Sequence, residues 1–377
     1  MPNKLAQFVQ LLRSTKRERK LDTVILFVTS RCNSFCQTCF YHEELNQPGD
    51  LTFEQIEKIS RTMPPLTDLW LSGGEPTLRR DLTDIIDLFV TRNGVERLII
   101  PTNGLIKQRV YDVVDHALGA QRALSELYLN IALDGYGETH DRVRGVPKHW
   151  DKTLACIEYL YPLKEKYGSR FRLNVNTVVC ASNYQEIEKL AEFMWANYRL
   201  DGQYFNIVRG ETLVGESIKQ IPPEALPGMY AKVAALTVRY GERMFADDDT
   251  AKRFIKNVAY VGTINTHYRA QHANFIAPTA WPFPCTAGDT VAVIDYNGDV
   301  RACELREKFA TLSDYDYDFG ALWNEQARQQ ELAAIDEGRA CWCTHVCFIH
   351  SSLRHSPKAL LYETPKNYLR RGSWEAL

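Results

Sequence analysis

"DTVILFVTSRCNSFCQTCF" occupies residues 22–40 and carries two signals that meet at Ser30. Its first half is a run of β-branched and apolar residues of strand length, uninterrupted by glycine or proline, and predicts a buried strand over residues 23–29. Its second half sets Cys32, Cys36 and Cys39 at the spacing C-x3-C-x2-C on the loop that leaves this strand, and the next cysteine is Cys156. A closed tetrahedral zinc site takes four ligands. Three thiolates suit three corners of a [4Fe–4S] cube instead, because soft sulfur selects iron–sulfur or zinc over hard cations. The fourth iron is then open to a ligand that chelates through an amino and a carboxylate group.

The strand pattern recurs downstream at "DLWLSG" (68–73), "VERLIIPT" (95–102), "LYLNIALD" (127–134), "FRLNVNTVV" (171–179) and "QYFNIV" (203–208). Helical periodicity begins between them near Thr52, Asp81, Ile106, Asp151 and Tyr184, with a further helix from about Pro223 to Arg243. Thr52 followed by Gln55 makes a capping box, and Asp81 is an N-cap before "LTDIIDLFV". This alternation predicts an α/β fold on a parallel sheet, open and doubly wound or curled toward a barrel. Both forms bind ligands at the C-terminal strand ends. The polar motifs fall there in turn: the cysteine loop, "GGEP" (73–76), "TNG" (102–104), "DGYGETHDRVRG" (134–145), Asn174 with Asn176 along the fifth strand, and Arg209 with Gly210 after the sixth.

The three-cysteine loop after the first strand, followed by "GGEP" after the second, resembles the radical S-adenosylmethionine (radical SAM) superfamily over residues 22 to about 209. The resemblance implies a partial (β/α)6 TIM-type barrel. In it Cys32, Cys36 and Cys39 hold a [4Fe–4S] cluster whose fourth iron chelates S-adenosylmethionine (SAM). Gly73 and Gly74 let the backbone approach the cofactor, Glu75 pairs with its ammonium, and Pro76 and Asn103 stand on the same rim. The reduced cluster splits the sulfonium, and the resulting 5′-deoxyadenosyl radical abstracts hydrogen from a substrate. Arg144, or else Arg142, is the candidate for the SAM carboxylate, which a guanidinium fork suits. Asn176 and the backbone near Val208 are further cofactor candidates. Two positions depart from the family pattern: Ala132 stands where a serine often precedes "LDG", and Thr38 where an aromatic residue usually precedes the third cysteine, so Phe40 and Tyr41 become the candidates for adenine.

Five more cysteines lie near the C-terminus. Cys285 and Cys303 flank two strand patterns joined by the turn "YNGD", so a hairpin brings them together, and "CWCTHVC" adds Cys341, Cys343 and Cys347 after a helix near 323–336. The spacing C-x12-G-x4-C before a tight cysteine group resembles the SPASM and twitch extensions of radical SAM enzymes. That resemblance implies one auxiliary [4Fe–4S] cluster, held by Cys285, Cys303, Cys347 and either Cys343 or Cys341. Structural zinc is the alternative for this group. His345, His350 and His355 read as surface or second-sphere residues rather than ligands.

The domains expected are an N-terminal helical extension (1–21), the barrel core (22–210), a barrel-closing and connecting segment (211–284) and a SPASM/twitch-like hairpin-plus-helix domain (285–377). Within 211–284 the acid run Asp247–Asp249 reads as solvated, while His267 and His272 are candidates to cap a pocket. Cys156 and Cys180 stand alone and read as small buried hydrophobes.

With 377 residues, 45% hydrophobic, and a net charge of -2, the composition points to neither nucleic acid nor membrane. No secretory signal is evident at the N-terminus, and the expectation is a cytoplasmic enzyme. The function expected is a radical SAM enzyme acting on a peptide or small metabolite, with a flavodoxin- or ferredoxin-type electron donor. Its auxiliary cluster serves substrate binding or electron transfer in peptide modification, crosslinking or dehydrogenation. The alternative is a sugar, aminocyclitol or nucleotide enzyme, and a more distant one is a non-enzymatic iron–sulfur or zinc protein. A general acid/base enzyme using Asp134, His140 and Asp141 is a third class. Tyr136, Arg209, Tyr260, His267 and Tyr268 are the candidate pocket residues.

Overall fold

The computed structural model describes residues 20–336 and 343–374. Nearly all of the expected N-terminal helical extension, and Cys341, lie outside the described residues. Six strands, β1 (Thr23–Thr29), β2 (Asp68–Gly73), β3 (Arg97–Thr102), β4 (Glu126–Ala132), β5 (Phe171–Val179) and β6 (Gly202–Ile207), alternate with helices. The helices of this part are α1 (Phe53–Thr62), α2 (Leu82–Asn93), α3 (Lys107–Ala120), α4 (Glu138–Arg144), α5 (His149–Tyr159), α6 (Tyr161–Tyr167) and α7 (Ile187–Asn197). Neighbouring strands pair parallel in chain order, the arrangement of a partial (β/α) barrel. Alternate residues such as Leu69, Leu71, Leu98, Ile100, Leu127 and Leu129 pack with the helix residues Ile56, Ile85, Phe89, Val114 and Leu190 in one buried core. Residues of the other parity, including Trp70, Asn130, Asn174, Asn176 and Asn206, therefore lie on the face turned away from these helices.

The capping box forms as expected, with Gln55 N–H donating to Thr52 Oγ1 and Thr52 N–H to Gln55 Oε1. Asp81 does occupy the N-cap of α2 but makes no capping bond, because its carboxylate is taken by a two-pronged pairing with Arg79. A planar guanidinium outcompetes a single backbone N–H for both oxygens.

Two features were not foreseen. Residues 250–276, within the stretch read as irregular, form one 27-residue helix, α9 (Thr250–Ile276), which follows α8 (Leu226–Met244). The acid run starts it: Asp249 caps Lys252 N–H, and Asp248 pairs with Lys252 and Lys256. Together α8 and α9 cover the edge of β6, where Phe205 N–H donates to Tyr268 Oη and Gln203 Nε2 to Tyr240 Oη. Tyr268 is fully buried in that role, and Tyr136 packs against Trp150 and Phe193.

The second feature is where the C-terminal hairpin sits. Strands β7 (Val291–Ile294), β8 (Asp299–Arg301) and β9 (Lys308–Thr311) continue the barrel sheet, with β7 parallel to β1 and the β7–β8–β9 pairs antiparallel, giving the nine-strand order β6-β5-β4-β3-β2-β1-β7-β8-β9. The chain then forms α10 (Phe319–Trp323), α11 (Gln326–Asp336), α12 (Val346–Arg354) and α13 (Thr364–Leu369). Among the described residues no helix is long and apolar enough to cross a membrane.

The hairpin turn carries a pH-sensitive group. Burial pushes Asp295 up to about 6, against the pull of Arg301, whose Nε donates to it. A folded-state value above the ordinary one near 3.9 means that folding favours the protonated acid, so this contribution is complete at low pH and fades as pH rises through about 6. Relative to Asp295→Asn, the wild type is expected to lose on the order of 3 kcal/mol between pH about 4 and 6. Denaturant titrations of both proteins across that range check this, and parallel profiles would refute it.

Candidate active site at the strand ends

The cysteine loop is fixed through its backbone. Ser30 N–H donates to Asp50 Oδ1 at 2.8 Å and Cys32 N–H to Asn46 Oδ1 at 3.1 Å. Further on, Phe35 N–H and Gln37 N–H donate to the carbonyls of Arg144 and Val143 at the end of α4. None of the three thiols is in a disulfide. Burial pushes Cys32 up to about 11 and Cys39 up to about 12, where the neighbouring Cys36 adds to the effect. Burial also raises Cys36, with Arg144 opposing. Bare thiols here keep their protons at neutral pH, so a metal must displace them.

The two glycines of "GGEP" have a reason other than close approach to a cofactor. Gly73 has φ +127°, and a Cβ on it would collide with the Thr29 carbonyl oxygen; one on Gly74 would collide with that of Arg31. Gly74 N–H and Glu75 N–H donate to these same carbonyls, at 2.9 and 2.7 Å. The motif thus fastens the end of β2 to the root of the cysteine loop. Gly74→Ala is expected to cost on the order of 1–3 kcal/mol through overpacking, and to weaken SAM binding by moving the loop. Melting and equilibrium dialysis test both, and a variant unchanged in both would refute the fastening role.

Glu75 is buried, and its carboxylate ties its own turn to the "TNG" segment after β3. Oε1 accepts from Thr77 N–H, Thr77 Oγ1 and Thr102 Oγ1, whereas among the described residues Oε2 accepts only from Asn103 N–H, at 2.7 Å. A carboxylate oxygen has two acceptor directions, so an incoming ammonium finds room at Oε2. Pro76 opens the short turn after Glu75. The Asn103 amide reaches across to Asn33 Oδ1 and Ser34 Oγ inside the cysteine loop.

Of the two candidate arginines, Arg142 is exposed and bonds Thr139, whereas Arg144 points to the cysteine loop side. Arg144 Nη1 lies 3.1 Å from Asp134 Oδ2, and its buried Nε has no partner among the described residues. Asp134, His140 and Asp141 are occupied with shaping this segment. Asp134 Oδ1 accepts Val178 N–H, His140 Nδ1 accepts Asp134 N–H, and Asp141 accepts the backbone of Lys148 and Trp150. On the inner face the amide oxygens of Asn176 and Asn206 and the indole N–H of Trp70 are buried without partners, while Asn174 bonds Asn130. Val208 N–H pairs with the Val179 carbonyl. The Phe40 ring lies under the Arg209 guanidinium, 4.8 Å away. Tyr41 is instead core, packed on Phe27 with ring centroids 4.6 Å apart.

Residues 26–194 match the model of the radical SAM superfamily. Over these residues the chain carries a radical SAM domain. Its sequence is 33% identical over 172 residues to an AdoMet-dependent heme synthase of Methanosarcina barkeri, covering 44% of this chain and 44% of that protein. It is 32% identical over 150 residues to a GTP 3′,8-cyclase of Rhodopirellula baltica, covering 37% and 40%. The match therefore spans less than half the length of these curated relatives. Among solved structures, anSMEcpe with bound AdoMet superposes with a TM-score of 0.56 at 14% identity, over 94% of this chain and 95% of that one. SuiB of Streptococcus suis gives 0.56 at 15%, over 89% and 74%. These are likenesses of fold, and coverage this complete extends them to the C-terminal part.

The family's cofactors are a [4Fe–4S] cluster and SAM. The residues present fit them: three unbridged thiols, Cys36 buried and Cys32 and Cys39 half-buried, an arginine beside them with a free Nε, and a carboxylate oxygen with a vacant acceptor direction.

The C-terminal cysteines also gather. Cys285, Cys303, Cys343 and Cys347 share one buried cluster with Cys39, Phe40, Trp281 and Phe348, and the charges of Cys285 and Cys343 act on Cys303. His345, expected as a surface or second-sphere residue, is fully buried. Its Nδ1 accepts Cys347 N–H and its Nε2 lies 2.7 Å from Glu304 Oε1. Glu304 in turn lies 3.2 Å from Arg209 Nη2. Burial works to raise Glu304, but His345 and Arg209 hold its carboxyl at about 2. Sequence reasoning missed Glu304, although its position directly after Cys303 was a signal. His355 pairs with Asp22, and His350 is exposed.

Proposed function

We propose that this chain is a radical SAM enzyme that takes hydrogen from a peptide or small-metabolite substrate and carries one auxiliary [4Fe–4S] cluster. The observation that carries the reading is the joining of the three-thiol loop, "GGEP", Asn103 and Arg144 at one rim of the barrel. Cys32, Cys36 and Cys39 would hold the cluster, with Glu75 Oε2 taking the SAM ammonium and Arg144 its carboxylate. A cluster held there would supply the electron for reductive cleavage of the SAM sulfonium. Asn103 keeps the loop in register, and Phe40, Asn176 and the Val208 backbone border the adenosine side. The unpaired amide and indole groups of Asn176, Asn206 and Trp70 furnish polar contacts below the rim for cofactor or substrate.

Cys285, Cys303, Cys347 and either Cys343 or Cys341 would hold the auxiliary cluster, which fits oxidation, crosslinking or dehydrogenation better than isomerisation. Names among the relatives favour a second reading, a small-molecule enzyme, since the sequence matches include a heme synthase and a GTP cyclase. The test is anaerobic: protein reconstituted with iron and sulfide is given SAM and dithionite, and 5′-deoxyadenosine is measured alone and with peptide and small-molecule panels. Cleavage stimulated by one panel supports the reading and selects the class. A fully loaded protein that cleaves SAM under none of these conditions refutes it.

A further inference from the structure

The end of β6 meets both the cysteine loop after β1 and the residues that follow Cys303. Arg209 lies over Phe40, the residue after Cys39, and reaches Glu304, the residue after Cys303. Gly210, at φ +67°, fits where a Cβ would stand 3.0 Å from both Leu305 and Phe40. Two consecutive residues thus bridge the two cysteine segments, one by charge and one by close packing. Beyond Glu304 the chain of contacts runs to His345 and the Cys347 N–H. The side chains of Arg209, Glu304 and His345 are 16%, 5% and 0% exposed.

The Cys303 sulfur, a Glu304 carboxylate oxygen and a His345 ring nitrogen all lie within 4.8 Å of one another. Those three groups could themselves ligate a metal ion. Arg209 argues against that use, since the guanidinium already neutralises the carboxylate. A fixed charge at this distance from a cluster sulfur acts instead on the cluster's reduction potential, which depends on local charge and hydrogen bonding, and in a dry site the field is weakly screened.

We propose that Arg209 and Glu304 are positioning residues that set the reduction potential of the auxiliary cluster and hold its cysteines against the SAM-binding loop. The inference rests on the auxiliary-cluster reading above. Arg209, next to the loop of Cys39, favours the reduced cluster, and Glu304 disfavours it. Their pairing fixes the balance, and His345 fixes the direction of the carboxylate.

The test is a redox titration followed by electron paramagnetic resonance. It uses the full-length protein carrying Cys32→Ala, Cys36→Ala and Cys39→Ala, so that only the auxiliary cluster contributes, with iron counted in the same samples and in wild type. Glu304→Gln, which removes a negative charge at constant shape, is expected to shift the potential positive. Arg209→Met, which keeps a cover on Phe40 but removes the positive charge, is expected to shift it negative. Arg209→Lys is expected to stay near the unsubstituted value. Shifts of the same sign, or none, in fully loaded protein would overturn the proposal alone. So would loss of the auxiliary iron in both Glu304→Gln and Arg209→Met, because the pair would then be a fold element only. About four irons in wild type, rather than about eight, would overturn the auxiliary-cluster reading and this proposal with it.

Discussion

Replacing Cys32, Cys36 and Cys39 together by alanine is expected to abolish SAM cleavage and to lower the iron content of reconstituted protein from about eight to about four per chain. The structural side of this expectation comes from how the loop is held. Its anchors include backbone N–H bonds to Asn46, Val143 and Arg144, which need no cysteine sulfur. Alanine keeps the Cβ and the backbone, so the loop should survive while its ligands are lost. Cys156→Ala is the matched control. Cys156 is fully buried in the apolar core, so its loss should cost on the order of 1 kcal/mol and leave iron and cleavage intact. Iron analysis and a 5′-deoxyadenosine assay on the two variants decide the matter. Cleavage persisting in the triple variant, or iron falling equally in the control, would overturn the ligand assignment.

What the sequence discloses about this fold follows from where its signals are local. The strand runs, the Thr52 capping box and the rim motifs are short-range patterns, and each lies within a residue or two of its expected place. Helix α9 escaped because its buried surface is mixed. Asn265, Thr266, His267, Arg269, Gln271 and His272 are buried there beside Val261, Ile264 and Tyr268, so the 3.6-residue hydrophobic stripe on which helix recognition relies is diluted. The docking of β7 on β1 was hidden for the opposite reason. "VAVI" is buried on both faces, and an unbroken apolar run states that a strand is central without naming its neighbour. The site shows the same division. The cysteine spacing announced its chemistry, whereas the Arg209–Glu304–His345 contacts join residues 95 and 41 positions apart, and only the fold brings them together.

Arg144 presents the clearest case in which fold and function must be separated by experiment. Its guanidinium pairs with Asp134, whose side chain is fully buried. Removing one member of such a pair strands the other charge, at a cost on the order of 3–5 kcal/mol. Arg144→Met should therefore lower stability by about that amount, leaving Asp134 with Val178 N–H as a remaining donor. Loss of SAM binding in this variant alone would prove little, because the segment that clasps Phe35 and Gln37 could have shifted. The double variant Asp134→Asn, Arg144→Met removes both charges and should recover much of the stability. If Arg144 also holds the SAM carboxylate through its free Nε, the double variant still lacks a charge-assisted hydrogen bond worth about 1.5–3 kcal/mol. Affinity for SAM, measured anaerobically on cluster-loaded protein, should then remain about 10- to 100-fold below wild type. Recovery of affinity to within about twofold, alongside stability, would assign Arg144 to the fold and leave the carboxylate to another donor on the rim.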